Sequence, residues 1–258
     1  VSSDLTAVHF PTPSIGWAVG NDGVVLHTAD GGTTWEKQLD GFGVGKILQE
    51  SYITNPLNAL PNDGSAEAFA SSIQTLIKDE AAIPFLDVLF ENEKTGYIVG
   101  AFNLIFRTDD GGKSWQPLLD RTDNPDGMHL YSITSTGKDI YISGEQGLLL
   151  KLDSQTKRFR SISTPYVGTY FGVIGRNDTV IAFGMRGNIY RSPDSGVSWQ
   201  KIDNKDGAGI LGGEVTPGGT FLLVTQSGKV LVSKDDGASF LEQPNGGIPL
   251  HAVVSTDD

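Results

Sequence analysis

The apolar residues of this chain fall in short runs that are separated by Gly, Pro, Asn and Asp. The first such group contains Leu5–Phe10, Gly16–Gly20, Val24–Thr28 and Thr34–Leu39. Short apolar runs between turn residues predict strands, and Asn21-Asp22-Gly23 between two of them is a strong hairpin signal. The pattern therefore predicts four strands, which we name a to d, joined by three hairpins into one antiparallel sheet.

The same pattern of strands recurs along the chain. A second group of runs copies the first almost strand for strand, and three further groups follow with weaker patterns; the predicted strands are 85–90, 96–100, 104–108, 114–118, 131–134, 140–144, 148–152, 171–174, 180–184, 188–191, 220–224 and 230–233. A last run, Pro249–Val254, predicts the first strand of a sixth group. The expected fold class is therefore all-β.

One motif stands between the third and fourth strands of four groups. It has the form Ser/Thr-x-Asp-x-Gly-x-Ser/Thr-aromatic, which suits a tight turn, because the hydroxyl and the carboxylate can bond to nearby N–H groups while Gly accepts a positive φ. Its hydroxyl, Asp, Gly and aromatic positions are Thr28, Asp30, Gly32 and Trp35; Thr108, Asp110, Gly112 and Trp115; Ser192, Asp194, Gly196 and Trp199; and Ser233, Asp235, Gly237 and Phe240. The motif is the expected c–d turn.

A fifth, eroded copy runs from Leu152 to Phe159 and keeps only the aromatic residue in register. The aromatic positions Trp115, Phe159, Trp199 and Phe240 are then 44, 40 and 41 residues apart. A period of this length with short strands is typical of a β-propeller, whose unit is a four-stranded blade. We therefore expect residues 1–258 to form one propeller domain with five blades and one further strand.

The strand pattern is interrupted over residues 41–83, between the first and second blades. Within this segment the residues at helical spacing predict one amphipathic helix, with an apolar face that contains Ala66, Phe69, Ala70, Ile73, Leu76 and Ile77. A hidden blade is the competing explanation, and the lack of alternating strands argues against it. We predict a helical insertion.

Composition and charge limit the classes of function. The net charge of −12 would repel a phosphate backbone, and no apolar stretch approaches the roughly 20 residues that span a bilayer, so neither nucleic acid binding nor membrane insertion is expected. The chain has no Cys, which excludes disulfides and thiolate chemistry. The four His residues show no metal-ligand spacing, so we predict no metal and no cofactor.

The repeated Asp motifs are typical of the Asp-box, or BNR repeat, propellers, which include sialidases and xyloglucan hydrolases. The coupling of Gly16–Gly20 with Gly23–Thr28, echoed by Gly96–Gly100 and Phe183–Ser192, closely resembles the photosystem II stability/assembly factor family and its bacterial relatives. This resemblance covers about five blades and implies a seven-bladed ring in a lumenal or periplasmic protein that assists membrane-protein assembly without catalysis. Five blades and one strand do not close such a ring, so either blades are missing from this chain or the closure is unusual.

The repeated carboxylates admit a structural and a chemical interpretation. Four equivalent Asp residues spread around a ring cannot converge on one site, which favours turn stabilisation over catalysis, with calcium binding as the alternative. A glycoside hydrolase needs two carboxylates about 5 to 10 Å apart and usually aromatic platforms, but all four Trp residues belong to motifs or strands. The carboxylates that remain as candidates for an enzyme are Asp22, Asp87 and Glu145.

The order of the strands predicts which side of the propeller binds partners. The a–b and c–d turns lie on one side, and the b–c turns and the connections between blades lie on the other, more variable side, where loops are free to carry binding residues. Aromatic and Arg side chains are frequent at interaction hot spots, so we predict partner contacts at Tyr166, Tyr170 and Arg186, with packing inside a strand or loop as the alternative for each. The apolar stripe Phe69, Ile73, Leu76 and Ile77 either docks a partner or packs on its own propeller.

The function predicted from the sequence is a non-enzymatic interaction scaffold. It would bind a protein partner and help to assemble or stabilise a membrane-protein complex on the extracytoplasmic side, in a periplasm or a thylakoid lumen, and most of this prediction comes from the family resemblance. The alternative is an Asp-box glycoside hydrolase of the sialidase or xyloglucanase type.

Overall fold

A computed structural model describes residues 3–54, 65–78, 84–244 and 247–255. These residues form two compact units, Val1–Asp120 (unit 1) and Arg121–Asp258 (unit 2). Across both units there are five sheets of four antiparallel strands each, and in every sheet the strands lie side by side in chain order. The all-β class and the four-stranded meanders predicted from the sequence are therefore confirmed.

Unit 1 contains two of the five sheets. Sheet 1 consists of β1 (Leu5–His9), β2 (Gly16–Gly20), β3 (Val25–Thr28) and β4 (Glu36–Leu39). Sheet 2 consists of β5 (Phe85–Phe90), β6 (Gly96–Gly100), β7 (Ile105–Thr108) and β8 (Gln116–Pro117). The second strand of each sheet is buried along its whole length, because both of its edges pair with neighbouring strands and its faces are covered.

Unit 2 contains the other three sheets. Sheet 3 consists of β9 (Leu130–Ser135), β10 (Ile140–Gly144), β11 (Leu149–Asp153) and β12 (Arg158–Ser161). Sheet 4 consists of β13 (Tyr170–Arg176), β14 (Thr179–Gly184), β15 (Ile189–Ser192) and β16 (Gln200–Ile202). Sheet 5 consists of β17 (Ile210–Val215), β18 (Phe221–Thr225), β19 (Lys229–Ser233) and β20 (Leu241–Pro244).

The first strand of every sheet carries a β-bulge at its second residue. In each case the pairing with the second strand skips one residue, and the skipped residues are Thr6, Leu86, Tyr131, Phe171 and Leu211. A bulge turns one side chain out of the regular alternation of the strand. The repeat therefore presents one re-aimed side chain at the same position of each sheet.

Unit 1 also contains the segment that interrupts the strand pattern. The segment forms α1 (Gly41–Leu48), a π-helical turn over Gln49–Thr54 and α2 (Ser65–Lys78), whereas its residues 55–64 and 79–83 lie outside the described part of the chain. Helix α1 was not predicted, because its Gly residues argue against a helix. It forms here because Asp40 caps its N-terminus by accepting a bond from the Gly43 N–H and because Val44 and Leu48 are buried.

The predicted sixth group does not contain a strand. The described residues 247–255 form irregular structure beside β17, where Ser255 donates hydrogen bonds from its N–H and its hydroxyl to Glu214. The apolar alternation of Pro249–Val254 is consistent with a strand, but a strand also needs a partner edge with matching hydrogen bonds. The expectation of a further strand is thus wrong for these residues.

Candidate functional site

The first Asp motif is a closed network of short hydrogen bonds. The Thr28 hydroxyl donates to Asp30 Oδ1 at 2.8 Å and accepts from the Gly32 N–H at 2.9 Å. The Asp30 carboxylate accepts in turn from the N–H and the hydroxyl of Thr34, at 2.8 and 2.7 Å. One hydroxyl and one carboxylate thus accept hydrogen bonds from the backbone N–H groups of Gly32 and Thr34 within the c–d turn.

The other three motifs form the same network, and their leading hydroxyl residues are all buried. Hydrogen bonds from Ser198, and secondly from Ser192, lower the pKa of Asp194 to about 2, and bonds from Ser239 do the same for Asp235. A carboxylate held ionised by donors on its own turn is a poor proton carrier. The carboxylate of each motif therefore bonds to donors of its own turn.

The eroded fifth copy still uses a carboxylate, but at a different residue. Asp153 accepts bonds from the N–H groups of Gln155 and Thr156 and from the Thr156 hydroxyl, and Lys157 adopts a positive φ of 55°. This is a common Asx turn in a tighter hairpin. The aromatic Phe159 is fully buried. The eroded copy has therefore lost the hydrogen bonds of the motif but still packs its aromatic residue in the core.

The apolar stripe of α2 faces the interior of unit 1. Ile73 is 0% exposed and Leu76 is 8% exposed, and both belong to the core that also contains Trp17 and Phe85. Phe69 packs edge-to-face on Tyr52 with 5.2 Å between the ring centroids, and Ile77 also packs against this core. The burial of Ile73 and Leu76 therefore agrees with packing of the stripe on the chain's own sheets and does not agree with docking of a partner.

The three carboxylates considered for an enzyme each have a local partner. Asp22 accepts from the Ser3 hydroxyl at 2.7 Å, Asp87 accepts from the adjacent Val88 N–H at 2.8 Å, and Glu145 accepts from the His129 N–H at 2.9 Å. Asp22 and Glu145 lie on turns after β2 and β10, whereas Asp87 lies within β5. In the described part of the chain, no group of three or more His, Asp or Glu side chains is arranged to hold a metal ion.

The b–c turns share a strained backbone conformation. The residue at the tip has a positive φ in four sheets, at Asp22 (58°), Phe102 (56°), Gln146 (52°) and Arg186 (56°). Such a conformation disfavours any residue with a Cβ, and all four side chains are exposed. These tips therefore share one backbone conformation and expose different residue types.

In unit 2, the loop before β13 and the b–c turn of sheet 4 form one surface. The Tyr166 hydroxyl donates to the Met185 carbonyl at 3.2 Å, and the Met185 N–H donates to the Thr169 carbonyl at 3.1 Å. Val167 at the crest of the loop is 86% exposed and Met185 is 40% exposed. We call Val167, Met185 and the exposed Arg186 the b–c surface of unit 2.

Two of the three predicted anchors support this surface from below. Tyr170 is 0% exposed, its hydroxyl donates to Thr164 Oγ1 at 3.0 Å, and its burial raises its pKa. Half-buried Tyr166 stacks on Tyr190 with 5.4 Å between the ring centroids. The prediction of Tyr170 as a partner contact is thus corrected, because its ring fills the core, and Tyr166 contributes mainly by holding the loop. Sequence reasoning missed Val167 and Met185, whose exposure has no periodic signal.

Comparison with known proteins identifies the family. A sequence model described as photosynthesis system II assembly factor YCF48 matches residues 67–242, which is more than half of the chain. The chain belongs to this family. A curated relative, the photosystem II assembly lipoprotein Ycf48 of Synechococcus sp. (strain CC9902), is 29% identical over 119 residues, or 45% of this chain. The matched region is only 35% of the length of that relative.

Solved structures resemble this YCF48-family chain in fold. A structure described as YCF48 bound to D1 peptide has a TM-score of 0.61 at 17% identity, and the match covers 94% of this chain and 69% of the other. An ancestral GH74 enzyme also has a TM-score of 0.61, at 11% identity, with 93% of this chain and 31% of the other covered. At these identities the likeness concerns the fold alone. None of the helices in the described residues has the length and hydropathy of a membrane span.

Proposed function

We propose that this YCF48-family chain is a non-enzymatic assembly factor that binds an extracytoplasmic segment of a membrane-protein complex. The observation that carries the proposal is the family match over residues 67–242, which includes the whole of the b–c surface of unit 2. The solved YCF48 with its D1 peptide supports a peptide segment as the ligand. The curated relative is named a lipoprotein, which supports an extracytoplasmic location, whether in a periplasm or in a thylakoid lumen.

The proposed binding surface has the properties of a small protein interface. Val167 and Met185 offer exposed apolar area, Arg186 offers a donor of five hydrogen bonds, and the stacked Tyr166 and Tyr190 keep the loop in place. Aromatic and Arg residues with a rigid support are common at hot spots, because little side-chain entropy is lost on binding. The family resemblance of the sequence also leads us to propose that the sheets are blades of a seven-bladed propeller.

The test is peptide binding with two matched variants. Fluorescein-labelled peptides that tile the extracytoplasmic segments of D1 are titrated with the protein, and binding is followed by fluorescence polarisation. Val167 lies on the b–c surface and is 86% exposed, and Val197 lies on a c–d turn of the same unit and is 84% exposed. The variants Val167→Glu and Val197→Glu therefore make the same chemical change at two different turns. We expect Val167→Glu to weaken binding about tenfold and Val197→Glu to leave it unchanged.

Failure would take one of two forms. If none of the D1 peptides binds and the tagged protein captures no membrane-complex subunit from its native membranes, the assembly role is refuted. If peptides bind but both variants retain full affinity, the role stands and the b–c surface is not the site.

The second candidate function is hydrolysis of carbohydrate, favoured by the fold likeness to an ancestral GH74 enzyme. Glu145 is the carboxylate best placed for it, because it is partly exposed beside Tyr131 and His129. We expect no turnover of fluorogenic sialosides or of xyloglucan. Turnover that disappears in Glu145→Gln would replace the assembly role with an enzymatic one.

A further inference from the structure

Three bulged residues of unit 2 form a row across neighbouring strands. Tyr131, Phe171 and Leu211 occupy the bulge positions of β9, β13 and β17, and β13 packs beside both of the other strands. The rings of Tyr131 and Phe171 meet edge-to-face with 6.0 Å between their centroids. A methyl group placed on Gly209 would lie 3.8 Å from both Phe171 Cε2 and Leu211 Cδ2, so these two side chains flank the same point. We name Tyr131, Phe171 and Leu211 the bulge row.

The bulge row is accessible, and it lies at the same end of the sheets as the b–c surface. All three side chains are partly exposed, although they are large and mostly apolar. Tyr131 and Phe171 stand near the starts of β9 and β13, at the end of each sheet where its b–c turn also lies, since Leu130 pairs with Gly144 and Tyr170 pairs with Gly184. In unit 1 the equivalent bulged Thr6 instead uses its hydroxyl internally, bonding the carbonyl oxygens of Val19 and Phe85.

A carboxylate closes one end of the row. Glu145 Oε2 accepts the His129 N–H at 2.9 Å and lies 3.6 Å from His129 Nδ1. The His129 ring lies 6.2 Å from the Tyr131 ring between centroids, which places the carboxylate beside the row, and after burial the charge of Glu145 is the next cause that raises the pKa of Tyr131. The Glu145 side chain is 32% exposed. Among the ion pairs of the described residues, none joins Glu145 to a Lys or an Arg.

We propose that the bulge row and Glu145 together bind an extended segment of a protein partner that carries an apolar side chain close to a Lys or Arg. The apolar side chain covers Phe171 and Leu211, and the cation pairs with Glu145 against the face of Tyr131. Charge complementarity selects this occupant, because a partly exposed carboxylate borders the row and the chain as a whole carries a net charge of −12. The inference rests on the proposed function, since it describes the segment that this end of unit 2 would bind.

The test uses a phage-displayed library of random decapeptides, so that the selection itself defines the preferred ligand. The immobilised full chain is compared with Glu145→Gln, Glu145→Lys and Phe171→Ala, and with Asp203→Asn as the control, since Asp203 is an exposed acid elsewhere in unit 2. Glu145→Gln keeps an oxygen that can accept the His129 N–H, so it removes the charge and preserves the turn. Melting temperatures of all variants verify that they are folded.

The parent chain and Asp203→Asn should enrich peptides in which an apolar residue stands within a few positions of Lys or Arg. Glu145→Gln should lose the preference for the cation and bind the selected peptides about tenfold more weakly, and Glu145→Lys should reverse the preference towards acidic residues. Phe171→Ala should lose the apolar preference. Raising the salt concentration should weaken the parent's binding and have little effect on that of Glu145→Gln.

Two results would overturn the inference. One is a parent selection without enrichment of basic residues, and the other is a basic preference that survives in Glu145→Gln. Either result leaves the proposed assembly role intact if D1 peptides still bind at the b–c surface. Conversely, loss of all D1 peptide binding with a retained basic preference in the library would refute the assembly role alone.

Discussion

Removal of one buried hydroxyl tests whether the Asp motif holds the fold together. In the second motif the Thr108 hydroxyl accepts from the Gly112 N–H at 2.9 Å and donates to Asp110 Oδ1 at 2.9 Å, and Thr108 is only 1% exposed. Thr108→Val keeps the shape of the side chain, so it creates no cavity. It leaves the buried Gly112 N–H without an acceptor and takes one donor from Asp110.

The magnitude follows from the unpaired N–H group. A buried donor left without a partner costs about 1 to 3 kcal/mol, and a chain of this size loses about 2 to 4 °C in melting temperature for each 1 kcal/mol. We therefore expect a decrease of about 4 to 8 °C for a cost near the middle of that range. Differential scanning calorimetry measures it, and urea unfolding gives the free energy independently.

The control is Thr33→Val in the first motif. Thr33 is exposed, and its hydroxyl donates only to the Asp30 carbonyl. We expect its effect to stay within about 0.5 kcal/mol, as for most surface substitutions. If Thr108→Val melts at the same temperature as the parent, the buried hydroxyl does not support the turn and the structural interpretation of the motif is refuted.

Three further predictions concern stability. A Cβ added at Gly196 (φ 91°) would lie 3.1 Å from its nearest neighbour, whereas a Cβ at Gly207 (φ 66°) would meet open space. Calorimetry should therefore find that Gly196→Ala lowers the stability by about 1 to 3 kcal/mol relative to the parent, and by more than Gly207→Ala does. Equal losses would contradict the contact argument. Ile73→Ala should cost about 2 to 5 kcal/mol because Ile73 is fully buried, and exposed Gln74→Ala on the same helix should be nearly neutral; a stable Ile73→Ala that loses partner binding would restore the docking interpretation. Because the pKa of Asp194 falls from 3.8 to about 2 on folding, the stabilisation by its ionised carboxylate is present above pH 4 and disappears towards pH 2. The melting temperatures of Asp194→Asn and the parent should therefore converge between pH 4 and pH 2, and a constant difference would refute the pKa shift.

The local chemistry of the sequence determined the meanders and their turns. The hydrogen bonds that define an Asp motif join residues no more than four positions apart, as between Thr28 and Gly32. These bonds can therefore be inferred from the local sequence alone. The same holds for strands such as β2 and β6, whose bounds match the predicted ones, because hairpin turns pair neighbouring strands. The family resemblance also depended on such local patterns.

Only the tertiary structure decided which apolar and aromatic residues are available to a partner. Periodicity predicted an apolar face for Ile73 and Leu76 but could not say whether sheets or solvent lay opposite it, and the residues that cover this face, such as Trp17, are distant in the chain. Tyr170 and Phe171 are adjacent, yet the first is buried and the second is partly exposed, because the rings of Tyr166 and Tyr190 pack on Tyr170. Exposure is set by contacts between distant segments, and a local pattern therefore does not determine it.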